Sequence, residues 1–461
     1  MTNEELRDAL LASAKNGYTR LSEGQRPEMD SYAKRYMAFM DECKTEREAT
    51  AWAVREAEKL GYKPFTPGME AKPGDKIYYN NRNKSIALAV IGSKPLSEGA
   101  NICAAHVDSP RLDIKPNPLY EDSEIAYLKT HYYGGIKKYQ WPTIPLALHG
   151  VVFRKDGSIV TVNIGEDDND PVLMVSDLLP HLAGDQMQKT AAKVIEGEQL
   201  NVIMGTEPLE GDGSDLVKLH IMKLLNEKYG MVESDFLSAE LTVVPAGKCR
   251  EVGLDRSLIS AYGHDDRVCA HAELDALFAV ENPEKTAVCI LADKEEIGSV
   301  GISGMQSHYF DHFMGGLCDA QGVKLEDCFA KSFCLSADVS NAFDPNWPET
   351  CDRRNNSQLN YGISICKYTG VRGKGGASDA SAEVMRHIRN TFDNADVIWQ
   401  IATLGKVDQG GGGTVAAYMA NRNIPTVDAG VPVLSMHAPL EIVSKLDCYE
   451  TLLACKAIYL A

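Results

Sequence analysis

Five times along this chain an apolar stretch lies beside a carboxylate or an imidazole, and that recurrence restricts the fold more than any other feature. Residues 101–105 run directly into His106, with Asp108 two positions on. Residues 286–291 lead to Asp293, Glu295 and Glu296. Residues 333–336 lead to Asp338, and the run that opens with Pro425-Thr426-Val427 is followed by His437. The fifth set, His264-Asp265-Asp266, stands at the head of an apolar-striped stretch, residues 267–280, that reads as a helix. Short apolar strands alternating with helices predict an α/β fold, a mixed central sheet flanked by helices on both faces. Ligands bind such sheets at the carboxyl ends of the strands, where these polar residues would gather.

Two other regions have a different texture. Residues 3–60 carry apolar positions at three- and four-residue spacing and read as helical, whereas 85–91 reads as a strand. Residues 119–245 are dominated by short strand-like pieces, among them 150–154 and 159–162, with the hairpin signal Lys155-Asp156-Gly157-Ser158 between them. The expected organisation is a discontinuous catalytic domain, residues 1–118 and 246–461, interrupted by a β-rich domain at 119–245. At 461 residues and 44% hydrophobic, the chain has ample material for such cores.

The net charge of −18 argues against nucleic-acid partners and acidic membranes, since like charges repel. No apolar run is long enough to span a bilayer, and the opening Met-Thr-Asn-Glu-Glu-Leu-Arg is not a secretory leader. The 12 cysteines include no Cys-x-x-Cys pair; several, such as Cys103, Cys289, Cys334 and Cys366, lie in apolar runs. They read as core residues in a reducing compartment, and the expected location is the cytoplasm.

Each polar set alone has a plain structural reading. Asp265 before a helix can cap it, Glu295-Glu296 can be a solvated loop, and His106 can be a satisfied core histidine. Together they supply two His, two Asp and one Glu, with a second Glu to spare. That mix suits zinc, cobalt or manganese, and the count fits two three-ligand sites sharing one Asp. In extended backbone His106 and Asp108 point the same way, so Asp108 is placed to hold the imidazole. Adjacent Glu295 and Glu296 point oppositely, so one can ligate while the other acts as general base. The glycine runs at 373–376 and 410–413 lack the phosphate-loop pattern, so they let backbone pass close to a site instead.

In these motifs the chain resembles the aspartyl aminopeptidase (aminopeptidase I) family over nearly its whole length. Tyr133-Gly134-Gly135-Ile136-Lys137-Lys138-Tyr139 and Pro145-Leu146-Ala147-Leu148-His149-Gly150 resemble its bacterial branch, and Leu179-Pro180-His181-Leu182-Ala183 resembles a segment of the insert. The resemblance implies a metallo-aminopeptidase acting on peptides with two divalent ions per subunit, zinc first, with cobalt or manganese as alternatives. It implies His106 and Asp338 as ligands of one ion, Glu296 and His437 of the other, and Asp265 as the bridge. Glu295 is implied as general base and Asp108 as the carboxylate behind His106, with Asp266 where the family often has Asn. A homo-oligomer, a tetrahedral dodecamer with the insert at dimer contacts, is implied too. Two departures bear on substrate preference. Lys374-Gly375-Gly376-Ala377 stands where the eukaryotic branch has Gln-Arg-Tyr-Ala, and Asp185 stands where that branch has a second His. Lys374 or Arg372 remains as a partner for an acidic N-terminal residue. The competing readings are a two-metal carboxypeptidase or N-deacylase on the same fold, and an inactive assembly protein.

Overall fold

Continuous apolar runs in the sequence become strands buried on both faces. In the computed structural model, which describes residues 1–12 and 14–461, nine strands form the central sheet. Their order is Lys63–Pro64, Lys76–Asn81, Ser85–Val90, Thr286–Ala292, Ala100–His106, Phe333–Ser336, Thr426–Gly430, Ile363–Cys366 and Trp399–Ala402. The middle four run parallel, and antiparallel neighbours flank them on each side. Their register is level: Ala292 pairs with His106, and Ser336 with both Ala104 and Asp428. The residues that follow these strands therefore emerge along one edge.

Alternation along the strands divides the core in two. Cys103, Ala105, Cys289 and Leu291 face helices Gln25–Glu42, Glu46–Lys59, His264–Phe278, Ala382–Asn394 and Lys445–Tyr459. Ile102, Ala104, Val288 and Ile290 face Tyr309–Ala320, Leu325–Lys331 and Val415–Ala420. The helical reading of the first sixty residues resolves into Asn3–Leu10, Gln25–Glu42 and Glu46–Lys59; in the last, Thr45 and Glu48 close a capping box. Among the described residues no helix is long and apolar enough to cross a membrane.

A second, antiparallel sheet of six strands runs in the order Ile159–Ile164, Leu146–Phe153, Ala239–Pro245, Arg111–Asp122, Ile125–Tyr133 and Val202–Gly205. Its first strand begins at Arg111, so the chain passes into it five residues after His106 leaves the central sheet. This sheet also carries a helix, Leu216–Tyr229, whose Val217, Ile221 and Leu225 seal its core at a spacing of one turn. A third sheet, of five short strands, runs Arg250–Val252, Leu258–Ala261, Glu441–Ser444, Pro432–Leu434 and Ser340–Asn341. It fixes the turns that lead into Asp265 and around His437.

Candidate metal centre

His106 is the last residue of its strand, and its ring is held from behind. Nδ1 lies 3.0 Å from the Asp108 carbonyl oxygen and 3.4 Å from Asp108 Oδ1. That leaves Nε2 facing Asp265 Oδ1 at 3.3 Å and Glu295 Oε2 at 3.8 Å. Asp265 and Asp266, joined by a cis peptide, depart from helical geometry at the start of His264–Phe278. The other Asp265 oxygen, Oδ2, lies 3.1 Å from His437 Nε2. His437 sits in a left-handed turn and donates Nδ1–H to the Gly135 carbonyl at 2.8 Å. Its Nε2 also lies 3.5 Å from Glu296 Oε1.

The two adjacent glutamates lie in a tight 3-10 turn, Glu295–Ile297, and not in the extended backbone expected from the sequence; Glu295 turns toward His106 and Glu296 toward His437. Asp108 anchors their short turn, accepting N–H of Glu295 at 3.1 Å and of Glu296 at 3.2 Å. Ligating atoms of His106, Asp265 and Glu296 lie within 4.8 Å of one another, as do those of His106, Asp266 and Asp338. Asp338 thus meets Asp266 as well as the histidine. His264 turns away: it bonds Tyr36 and the Ile259 carbonyl, and burial pushes its pKa down to about 3, keeping it neutral.

So many buried acids in one place repel each other. Burial pushes Glu295 up to about 7 and Glu296 and Asp338 well above the carboxylate range, with neighbouring acids adding to it. Asp266 is raised in the same way, by burial and then by Asp338. Asp265 and Asp108 are lowered instead: despite burial, hydrogen bonds from His106 and His437 hold Asp265 ionised, and those from His106 and Tyr133 hold Asp108 ionised. His437 rises to about 10 against its own burial, through Asp265 and Glu296. Glu296 Oε1 and Asp266 Oδ1 are buried with no hydrogen-bond partner. Excess carboxylate, orphaned oxygens and two imidazoles whose Nε2 atoms meet only carboxylate oxygens fit divalent cations.

Residues 39–459 match the family described as aminopeptidase I zinc metalloprotease (M18). The chain belongs to this M18 family. A probable M18 family aminopeptidase 1 of Clostridium acetobutylicum is 50% identical over 451 residues, 96% of this chain and 97% of that protein. The crystal structure of an M18 aminopeptidase from Thermotoga maritima superposes with a TM-score of 0.93 at 43% identity, covering 97% of this chain and 99% of that one. The S. cerevisiae mApe1 dodecamer structure shares the fold, with a TM-score of 0.78 at 19% identity over 94% of this chain and 97% of that one. The mixed α/β fold and the family expected from the sequence are both found. This M18 chain is a metal-dependent aminopeptidase, a hydrolase of peptide bonds.

The M18 site opens into a cavity of about 370 Å³, walled by Val339, Cys366, Thr369, Leu404, Tyr418 and Met436 beside the acids and histidines. The glycine run at 411–413 forms one side. Gly411 there has a φ of +95°, and a Cβ on it would fall 1.7 Å from the Gly370 carbonyl oxygen, so no larger residue fits. Lys374 and Arg372 do not line this cavity. Lys374 lies 3.9 Å from the centre of the Tyr368 ring and pairs with Asp379 at 3.1 Å.

Three residues of the centre escaped the sequence reading. Glu441 accepts the backbone N–H groups of both His437, at 2.7 Å, and Asp265, at 3.0 Å, and so ties together the turns that carry them. Its position four residues after His437, opening a strand, is the only local hint. Tyr133 and Gly135 also reach the centre, from the second sheet.

Proposed function

We propose that this enzyme removes the N-terminal residue of peptides with two divalent ions, zinc first, held by His106 and Asp338 on one side and by Glu296 and His437 on the other. The supporting observation is that one carboxylate, Asp265, turns its two oxygens to two different imidazole Nε2 atoms, at 3.3 and 3.1 Å. A carboxylate so placed suits a bridge between two ions. When bound, the ions supply Lewis acidity to the peptide carbonyl and lower the pKa of water from about 15.7 toward neutrality. Glu295 accepts the proton of the attacking water and returns it to the leaving amine. Asp108 holds the His106 ring and the backbone of the Glu295 turn, which keeps acid and base in register. Asp266 stands ready as an alternative oxygen beside Asp338.

The cavity beside these residues favours neutral N-terminal side chains. Val339, Leu404 and Met436 offer apolar surface, and among the described residues no Lys or Arg lines it to pair with an acidic one. The second sheet is proposed as the dimerisation domain of a homo-oligomer, a dodecamer as in the mApe1 structure. Exposed Leu179, Leu182 and Met187, in the segment that joins its strands Ile159–Ile164 and Val202–Gly205, support that reading. Twelve free cysteines, all but Cys351 buried, suit the cytoplasm.

The test is a panel of aminoacyl anilides (Asp, Glu, Leu, Met, Lys and an N-acetylated control), assayed before and after chelation and again with zinc, cobalt or manganese. Metal-restored cleavage of free-amine substrates only, strongest for Leu and Met, is expected. Cleavage of the acetylated control alone would move the chain to a deacylase, if acetate is released, or to an endopeptidase, if the aniline is. Glu295→Gln should nearly abolish turnover with metal content intact, and normal turnover would remove Glu295 as the base.

A further inference from the structure

The second sheet ends its strand Ile125–Tyr133 on a corner, Tyr133-Gly134-Gly135, which touches the metal centre at three points. Tyr133 donates its hydroxyl to Asp108 Oδ2 at 2.7 Å. Gly134 has a φ of +72°, and a Cβ on it would lie 3.3 Å from Glu296 Oε2. Gly135 offers its carbonyl to His437 Nδ1 at 2.8 Å.

We propose that this corner is a positioning element of the metal centre, orienting His106 through Asp108 and His437 through a backbone carbonyl. The proposal rests on the two-ion reading above. A histidine ligates through one nitrogen, and the hydrogen bond made by the other decides which. His437 gives its Nδ1 proton to Gly135, so its Nε2 lone pair is turned toward Asp265 and Glu296. His106 Nδ1 faces both the Asp108 backbone carbonyl at 3.0 Å and Asp108 Oδ1 at 3.4 Å, and the other oxygen of that carboxylate is held by the Tyr133 hydroxyl.

The hydroxyl is itself fixed. The Arg111 guanidinium lies 4.2 Å from the centre of the Tyr133 ring. Arg111 is pinned by Glu46 at 2.9 Å and Asp113 at 2.8 Å. Packing alone would be served as well by phenylalanine; the hydroxyl adds only the bond to Asp108. Two residues at the end of a strand outside the central sheet, Tyr133 and Gly135, thereby orient both imidazoles. The two glycines leave room for Glu296 and His437 to approach.

Tyr133→Phe and Gly134→Asn separate the two arms. Asparagine tolerates the left-handed backbone but crowds Glu296. Tyr127→Phe serves as control; Tyr127 lies on the same strand and stacks on Tyr120, away from the site. Each metal-free protein is titrated with zinc against a competing chelator, and its thermal midpoint is measured alongside. Tyr133→Phe is expected to keep two zinc ions but to bind one of them about 10–100-fold more weakly, the range for residues that orient ligands. Gly134→Asn should weaken the other ion, and Tyr127→Phe should bind as the wild type does. Wild-type zinc binding in both Tyr133→Phe and Gly134→Asn would overturn the proposal while leaving the two-ion reading in place. A wild-type protein that takes up fewer than two zinc ions would overturn the two-ion reading and this proposal with it.

Discussion

Replacing Asp108 by Asn preserves the shape of a wholly buried side chain and changes only what its outer atoms can accept. Oδ1 accepts the Glu295 N–H at 3.1 Å and faces His106 Nδ1 at 3.4 Å. Oδ2 accepts the Tyr133 hydroxyl at 2.7 Å and the Glu296 N–H at 3.2 Å. An amide has one acceptor end. Its cheaper orientation turns the NH2 toward Tyr133, whose hydroxyl can reverse and accept. The Glu296 N–H then meets another donor and is left unsatisfied, at about 1–3 kcal/mol. The bonds that survive also lose their charge assistance, roughly another 1 kcal/mol. The zinc-loaded variant should therefore be about 2–4 kcal/mol less stable to urea, with zinc affinity down about 10–100-fold. In the metal-free protein, removing one charge from a crowd of acids offsets part of this, so the loss there should be smaller. Equal urea midpoints and equal zinc affinity for Asp108→Asn and wild type would refute the reasoning.

His149, buried between Glu48 at 2.8 Å and Glu166 at 3.0 Å, with Lys44 3.9 Å from Glu166, has its pKa raised to about 9 from 6.5 despite burial, through those two acids. Its contribution is full below pH 6.5 and is lost as pH rises through 9, up to about 3 kcal/mol at 1.36 kcal/mol per unit. The stability gap between wild type and His149→Gln in urea should close over that window. Gly430→Ala would place a Cβ 2.0 Å from the Asp338 carbonyl oxygen, so it should cost at least about 1–3 kcal/mol and lower bound metal, measured by melting and elemental analysis. Zinc at a hundred times its dissociation constant should stabilise the chain by about 2.7 kcal/mol per independent site, and a chelator should reverse it in a thermal melt. Lys374→Ala should leave the rate on Leu-anilide within twofold, because Lys374 faces Tyr368 and Asp379 and not the cavity.

The central strands were legible because burial on both faces demands unbroken apolar runs. Residues 101–105, 286–291 and 333–336 fall within Ala100–His106, Thr286–Ala292 and Phe333–Ser336. The third sheet was not legible: strands of two to four residues, such as Ser340–Asn341 and Glu441–Ser444, are too short to show a period. The helix Leu216–Tyr229 shows its spacing in Val217, Ile221 and Leu225 but lies in a region whose neighbours read as strands. At the site, the side chains that follow strands could be picked out by that position alone. Glu441 and the carbonyl of Gly135 could not, since each acts through backbone atoms brought together only by tertiary packing.

His106 lies in the first quarter of the chain, Asp265 near its middle and His437 among its final residues. The polar centre therefore cannot assemble during synthesis until nearly the last strand has emerged and docked. A stalled or truncated chain that ends before His437 lacks one proposed ligand of the second ion, along with the turn that Glu441 secures. On the proposed ligand set, a chain clipped before His437 would therefore be without the second ion and without hydrolytic activity, however much of the central sheet it had already formed.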